Sequence, residues 1–176
     1  MLTIGHSNRS LEAFLEILKA HGVDLLVDVR TVPRSRHNPQ FNREALPKAL
    51  ASAAIEYRHM PGLGGLRHAR KDSGNTGWQN LSFRGYADYM ETAEFEKNLA
   101  ELLLLDEGRR MAIMCAESVP WRCHRSLIAD ALTARGIQVR HIMSASKASP
   151  HKLTSFARVG GAKVTYPSTT LNLLDE

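Results

Sequence analysis

The sequence predicts a single α/β domain built on a mostly parallel sheet of about five strands, with helices on both faces. Short apolar stretches typical of buried strands alternate along the chain with stretches that place apolar residues at helical spacing. Their order, β-α-β-α-β-α-β-α-β, favours parallel strands joined by right-handed crossovers. The 176 residues are enough for one such domain, with a core over residues 1–159 and an edge strand and tail over 160–176.

The first half of the chain holds three of the predicted strands. These strands are expected at residues 2–4, 25–29 and 55–59. The second is apolar throughout most of its length, as an inner strand covered on both faces would be. Ser10 is placed to cap a helix that ends at Gly22. Another helix is expected within residues 44–54, where Pro47 is tolerated only in the first turn or at a kink.

The second half continues the alternation after a long polar stretch. Strands are expected at residues 111–114, 137–142 and 163–166. One or two helices interrupted near Thr92 precede the first of these strands, and a helix that stops at Gly136 follows it. A further short helix is expected over residues 150–158. The polar stretch at residues 66–83 is long for a loop, and long loops are often functional covers.

Polar and reactive side chains follow the carboxyl end of several predicted strands. They are His6 with Ser7, Asp28 with Arg30, His59 with Gly64 and Gly65, and Cys115 with Glu117. Because the carboxyl ends of parallel strands share one edge of a sheet, these four segments are expected to converge on one crevice.

The loop between the strand at 111–114 and the next helix is the richest in reactive groups. It contains both cysteines of the protein, Cys115 and Cys123. Cys115 is the candidate nucleophile, since it ends a strand and opens a loop; the alternative is an inert buried thiol. His124 is a further catalytic candidate. Glu117 is a candidate general base that could instead form an ion pair with an arginine.

Other residues are candidates for handling protons or for binding an anion. His6 and Asp28 join Glu117 as proton-handling candidates, and Asp28 in its apolar strand must be paired, with Arg30 or His6 as partner. Arginine binds phosphate oxygens in bidentate fashion, and a helix N-terminus favours anions. The candidate ligand-binding set is Ser7, Arg30, Ser35, Arg36, His59, Gly64, Gly65, Cys123 and Arg125.

The charge distribution suggests an anionic partner. The net charge is +5, and residues 30–71 hold nine basic against two acidic side chains, a net of +7. A nucleic-acid-binding module that stacks bases on Phe41, Tyr57 and Trp78 is therefore an alternative to an anionic small molecule. Homo-oligomers are compatible with the sequence, which does not indicate an oligomeric state.

Several classes of protein are not expected. No apolar run approaches the ~20 residues that span a bilayer, and there is no export signal, so a cytoplasmic location without a membrane partner is expected. The spacing of Cys115, Glu117, Cys123 and His124 fits no common zinc motif, so we expect no metal and no cofactor. A Cys115–Cys123 disulfide is conceivable as a redox switch, although a reducing compartment disfavours a permanent one.

Several spaced motifs resemble one known family. They are Thr3-Ile-Gly-His-Ser7, Val27-Asp-Val-Arg30 with Pro33, Ser35 and Arg36, Leu63-Gly-Gly65, Cys115-Ala-Glu117 with Pro120, Cys123-His-Arg125, and His141-Ile142. The chain resembles the uncharacterised family called domain of unknown function 488 from Thr3 to about Tyr166. The resemblance implies a cytoplasmic prokaryotic α/β domain and brings no established reaction.

The residues themselves favour an enzyme, a hydrolase or group transferase that acts on an anionic, phosphate-bearing substrate. The chain lacks a Walker loop and a dinucleotide fingerprint, so a nucleoside triphosphatase or an NAD enzyme is not expected. The nucleic-acid-binding module is the first alternative. A thiol redox or rhodanese-like sulfur-transfer protein is the second, and it would depend on both cysteines.

Overall fold

The structure is a computed structural model that describes residues 1–168. Its strands are β1 (Leu2–Gly5), β2 (Leu25–Asp28), β3 (Glu56–His59), β4 (Met111–Cys115), β5 (Arg140–Ser144), β6 (Lys147–Pro150), β7 (Arg158–Gly160) and β8 (Lys163–Thr165). Its α-helices are α1 (Leu11–Ala20), α2 (Leu46–Ser52), α3 (Leu81–Met90), α4 (Ala93–Leu105) and α5 (Arg125–Ala134).

The central sheet has six strands in the order β3-β2-β4-β1-β5-β6. The first five are parallel, and β6 returns antiparallel to β5. Helices cover both faces, because β2 and β4 are buried on both sides and need apolar partners there. The predicted fold class, an α/β domain with a mostly parallel sheet, is confirmed.

Each face of the sheet has its own apolar core. On one face, Phe14 and Leu18 of α1 pack with residues of α2 against Leu2, Ile4 and other strand residues. On the other face, α3, α4 and α5 pack against Val27 and neighbouring strand residues. The helices that follow β1 and β4 therefore lie on opposite faces. Because β1 and β4 are adjacent, their carboxyl ends form the topological switch point at which open α/β sheets bind ligands.

The helix boundaries follow the expected local signals. The hydroxyl of Ser10 accepts a hydrogen bond from the amide of Ala13, which caps α1. Thr92 caps α4 and separates it from α3, as the predicted break requires. Pro47 lies in the first turn of α2, the position that the sequence allowed.

The predicted helix at residues 150–158 is wrong. Pro150 ends β6, and the following residues bind a carboxylate instead of forming a helix. The amide and hydroxyl of Thr154 donate to buried Asp130 of α5, and the ring nitrogen Nε2 of His151 donates to the same carboxylate at 2.8 Å. These tertiary bonds hold the segment against α5 and leave no helical backbone ladder.

The last two strands form a separate pair. Val159 of β7 pairs with Val164 of β8, so the predicted edge strand at 163–166 exists but does not extend the central sheet. Strand β5 begins at Arg140, three residues later than residue 137, where the sequence predicted it to start. The final eight residues of the predicted tail lie outside the described part of the chain. None of the helices in residues 1–168 has the length and hydrophobicity of a membrane-spanning segment.

Candidate active site

A cleft of about 730 Å³ lies at the carboxyl ends of the central strands. Among the residues predicted from the sequence, those that line it are His6, Ser7, Arg30, Ser35, Gly65, Cys115, Glu117, Cys123 and His124. Its size is that of a small-molecule site. Residues that follow β1, β2 and β4 therefore meet in one cleft, and the segment after β3 contributes only Gly65 of its predicted residues.

Backbone bonds between the ends of β1 and β4 build the floor of the cleft. The amide of His6 donates to the carbonyl of Cys115 at 3.0 Å, and the amide of Ser7 donates to that of Ala116 at 2.9 Å. Ser7 has a positive φ of 54°, a strained conformation for a residue with a side chain. Gly5 allows the close approach, because a Cβ there would collide with the carbonyl oxygen of Glu117.

Asp28 and Arg30 form a buried bidentate ion pair, as the sequence required. Arg30 donates from Nε to one carboxylate oxygen at 2.9 Å and from Nη2 to the other at 2.6 Å. Tyr57 donates its hydroxyl to the same carboxylate, and the burial of that hydroxyl together with the Asp28 charge raises the Tyr57 pKa. The charge of Arg30 is thus already balanced, which makes Arg30 a weaker anion ligand than the sequence suggested.

The protonation state of His6 follows from its two hydrogen bonds. Its Nδ1 faces the carbonyl of Ser7 at 2.7 Å and must donate, since a carbonyl can only accept. Its Nε2 therefore accepts from Nη1 of Arg30 at 3.1 Å. Burial lowers the pKa of His6 to about 4, and the ring stacks on Phe41. His6 is a neutral ring with both nitrogens engaged, so it orients Arg30 more readily than it would act as a free base.

The two cysteines meet at the base of the cleft. Cys115 ends β4, and Cys123 follows the short 3-10 helix Pro120–Arg122 that turns the loop back towards the sheet. The structure brings their sulfur atoms into direct contact. Residues eight apart in sequence are thereby brought into bonding contact, the arrangement that the sequence left open as a redox switch.

Arg125 lies behind Cys115 and is 1% exposed. Its Nη1 is 3.6 Å from the sulfur of Cys115, and its Nη2 donates to the carbonyl of Ser118 at 2.8 Å. Its Nε has no hydrogen-bond partner, and no carboxylate pairs with it within residues 1–168. Burial, reinforced by the charge of Arg9, lowers its pKa to about 10. Arg125 does not line the cleft itself. Its charge therefore reaches the cleft only through its contact with the sulfur of Cys115.

His124 stands beside Cys123 at the start of α5. Its Nε2 lies 3.3 Å from the carbonyl of Val29, to which the ring donates in the tautomer that leaves Nδ1 without a hydrogen. That Nδ1 lies 3.6 Å from the sulfur of Cys123. Burial lowers the pKa of His124 to about 4, so the ring is neutral near pH 7.

Glu117 and two arginines supply the charge at the mouth of the cleft. Glu117 is exposed and forms no ion pair with Arg125 or Arg30, so the structure does not contain the pairing that the sequence allowed. Arg34 and Arg122 line the cleft, are exposed and have no ion-pair partner within the described residues. Arg36 is exposed and lies outside the lining, because the loop presents its neighbour Arg34 to the cleft instead.

The remaining predicted ligands, His59, Gly64 and Gly65, pack against residues of the site. His59 donates from Nε2 to the carbonyl of Arg30 at 2.8 Å and does not line the cleft. Gly64 also lies outside the lining; a Cβ there would collide with the hydroxyl of Thr31. A Cβ on Gly65 would lie 2.5 Å from Nδ1 of His124, so glycine is required where that loop passes the ring.

The aromatic residues proposed for base stacking occupy other positions. Phe41 is fully buried between His6 and Phe14. The indole of Trp78 packs against neighbouring aromatic rings, and Tyr57 is bonded to Asp28 as described above. Phe41 is therefore not accessible to a base, whereas Trp78 is partly exposed and lines a second pocket beside Trp121. No group of three or more His, Cys, Asp or Glu residues in the described part of the chain could hold a metal ion.

Sequence reasoning missed several residues that shape the site. Arg34, Arg122 and Gly5 carried no signal that separated them from other loop arginines and glycines. The burial of Arg125 was detectable, since it shares a helical face with Ile128 and Ala129, three and four residues further on. An arginine on an otherwise apolar face indicates a buried charge.

Comparison with known proteins gives one match. The family model described as "Domain of unknown function DUF488" matches residues 10–132, about two thirds of the chain. No curated protein and no solved structure matches the chain.

Proposed function

The chain belongs to the domain of unknown function DUF488 family, and we propose that it is a cysteine-dependent enzyme that transfers or hydrolyses a group carried by an anionic substrate. Cys115, in its reduced form, is the nucleophile. The substrate binds in the cleft at the carboxyl ends of the strands, and its reacting atom meets the Cys115 sulfur at the floor.

The observation that carries this proposal is the buried charge of Arg125, which is attracted by the exposed carboxylate of Glu117 but forms no ion pair within residues 1–168. A buried ion without a partner costs several kcal/mol, so buried arginines are normally paired, as Arg30 is with Asp28. Arg125 has no carboxylate partner among the described residues, and its nearest polarisable neighbour is the sulfur of Cys115. A Cys115 thiolate would balance that charge. The arginine in turn favours the thiolate, which is the nucleophilic form of cysteine.

The mouth of the cleft supports an anionic substrate. Arg34 and Arg122 both line the cleft and have no ion-pair partner among the described residues, and guanidinium groups bind carboxylates and phosphates in bidentate fashion. Glu117 lines the same cleft as Cys115 and serves as the general acid–base group in this proposal. In the proposed reaction the Cys115 thiolate attacks the substrate, and the bound group then passes to water or to a second acceptor. The arginines bind the substrate anion, and Glu117 transfers the proton.

The pH dependence of Cys115 alkylation tests the proposal. In a Cys123→Ser background, reduced protein is treated with iodoacetamide at a series of pH values. An ordinary thiol has a pKa near about 8.5, so it reacts slowly at pH 6. We expect Cys115 to react rapidly there, and Arg125→Met to move the profile towards that of an ordinary thiol.

Two controls make the result specific. Arg122→Met removes a cleft arginine that does not contact Cys115 and should leave the alkylation profile unchanged. Arg125→Lys keeps the positive charge and should retain rapid alkylation at pH 6. It therefore distinguishes loss of the charge from misfolding of the methionine variant. An identical profile with and without a cation at position 125 would overturn the proposal.

A further inference from the structure

The neighbours of the two cysteine sulfurs differ in charge. The sulfur of Cys115 contacts the buried cation of Arg125, whereas that of Cys123 faces Nδ1 of the neutral His124 ring, each at 3.6 Å. In the reduced protein a cation favours a thiolate, and a neutral ring nitrogen accepts a hydrogen bond from a thiol. The pair therefore consists of one sulfur poised as a thiolate and one held as a thiol.

Both sulfurs lie within reach of a ligand and of each other. Cys115 and Cys123 line the same cleft, and the structure places their sulfur atoms in direct contact. A group that became attached to either sulfur would have the other sulfur as its nearest nucleophile. Because the two thiols are held together, their effective concentration for each other far exceeds that of any thiol in solution.

We propose that Cys123 is the second thiol of the reaction and that the substrate is a small anionic disulfide. This inference rests on the proposed role of Cys115 as nucleophile, and it names the transferred group as sulfur-borne. The arginines Arg34 and Arg122 at the cleft mouth bind the carboxylates of the disulfide.

The reaction proceeds in two balanced steps. The Cys115 thiolate attacks one sulfur of the substrate, forms a mixed disulfide and expels the other half as a thiolate. The sulfur of Cys123 then attacks Cys115, its proton passing by way of His124 to the departing second half. The substrate disulfide is reduced to two thiols, and the protein dithiol is oxidised to the Cys115–Cys123 disulfide. A small-molecule dithiol or thiol returns the protein to its reduced form by the same exchange.

Intact-protein mass spectrometry with glutathione disulfide as the probe tests this inference. Reduced wild-type protein should release two glutathione molecules per chain and lose two hydrogens, without a lasting adduct. Cys123→Ser should stop at a stable adduct of one glutathione on Cys115. Cys115→Ser should react at least about tenfold more slowly, because Cys123 lacks the cation that favours a thiolate.

A second arm tests the charge of the substrate. Cystamine is a small disulfide with two positive charges, and wild-type protein should react with it at least about tenfold more slowly than with glutathione disulfide, because the cleft arginines repel it. Arg34→Gln combined with Arg122→Gln should remove this preference. Equal rates for the two disulfides in the wild type would overturn the anionic substrate class.

The experiment separates this inference from the proposed function. A wild-type protein that keeps a glutathione adduct without forming the Cys115–Cys123 disulfide would overturn the role of Cys123 alone, provided that Cys115 still alkylates rapidly at pH 6. Equal rates for Cys115→Ser and Cys123→Ser would likewise overturn the division of roles. An unreactive Cys115 in the alkylation assay would remove the proposed function itself. The wild-type arm needs no substitution, so its outcome does not depend on whether a variant folds.

Discussion

Asp28 and Arg30 are two residues apart and form a bidentate ion pair at the end of β2, with the carboxylate fully buried and the arginine 8% exposed. The pair also receives the hydroxyl of Tyr57 and donates to Nε2 of His6. Strand β2 is thereby tied to β3 and to the end of β1. The network holds the arginine that lines the cleft in one orientation.

Asp28→Asn should destabilise the protein strongly. The substitution leaves Arg30 as a buried cation without its counter-ion, and removing one partner of a buried pair typically costs about 3–5 kcal/mol of the free energy of unfolding. Urea denaturation measures the change. Glu56→Gln is the matched control, because it breaks only exposed pairs with Arg58 and Arg109 and should have a much smaller effect on stability. Equal effects of the two variants would contradict the importance of the buried network.

Much of the site could be predicted because strand ends are readable from sequence. The apolar runs at β2 and β4 identify inner parallel strands, and parallel strands place their carboxyl ends on one edge. The sequence therefore predicts a common crevice for His6, Cys115 and Glu117, and this prediction does not require the strand order. The pairing of Asp28 followed from its position in an apolar strand, since a buried carboxylate requires a partner.

Other features depend on tertiary contacts that leave no local pattern. Whether Arg34 or Arg36 enters the cleft depends on the path of an irregular loop, and both have the same chemistry. The contact between Cys115 and Cys123 depends on a turn at residues 120–122 that reverses the loop. The extended segment after Pro150 is fixed by Asp130, a residue about twenty positions earlier in the chain. In each case the local sequence allows more than one conformation, and a contact with a distant part of the chain determines which one forms.

The stability of the protein should fall as the pH decreases from about 6.5 to about 4. Burial lowers the pKa of His6 from 6.5 to about 4, so over this interval the unfolded chain binds a proton at His6 and the native chain does not. A difference of this size corresponds to at most about 3 kcal/mol at 25 °C.

Urea denaturation at several pH values isolates the share of His6. His6→Gln keeps an acceptor for Arg30 and cannot take up a proton, so its stability should depend less steeply on pH than that of the wild type. The exposed His37→Gln should leave the profile as it is. If His6→Gln retained the entire acid slope, the buried neutral state of His6 would be refuted.

Anion binding should depend on Arg34 and Arg122 and not on Arg36. Phosphate or a mononucleotide that binds the native cleft raises the melting temperature, and a ligand at 100 times its Kd stabilises by about 2.7 kcal/mol. Arg34→Gln combined with Arg122→Gln should abolish the shift at moderate salt. Arg36→Gln is the control, because Arg36 lies outside the cleft on the same loop as Arg34. A shift seen only with oligonucleotides and lost at high salt would instead favour nucleic-acid binding.

Gly5→Ala should disrupt the contact between β1 and the cysteine loop. An added Cβ would collide with the carbonyl oxygen of Glu117 and would lie 2.7 Å from Nη1 of Arg125. Forcing extra volume into a packed site typically costs about 1–3 kcal/mol, and the displaced guanidinium should also slow the alkylation of Cys115. Gly74→Ala is the matched control, because an added Cβ there meets no atom within 4 Å and the backbone needs no positive φ. Gly74→Ala should be neutral or slightly stabilising in urea denaturation. If Gly5→Ala and Gly74→Ala had the same stability and the same alkylation rate, the prediction would be wrong. The close approach of the loop to β1 would then not position Arg125 against Cys115.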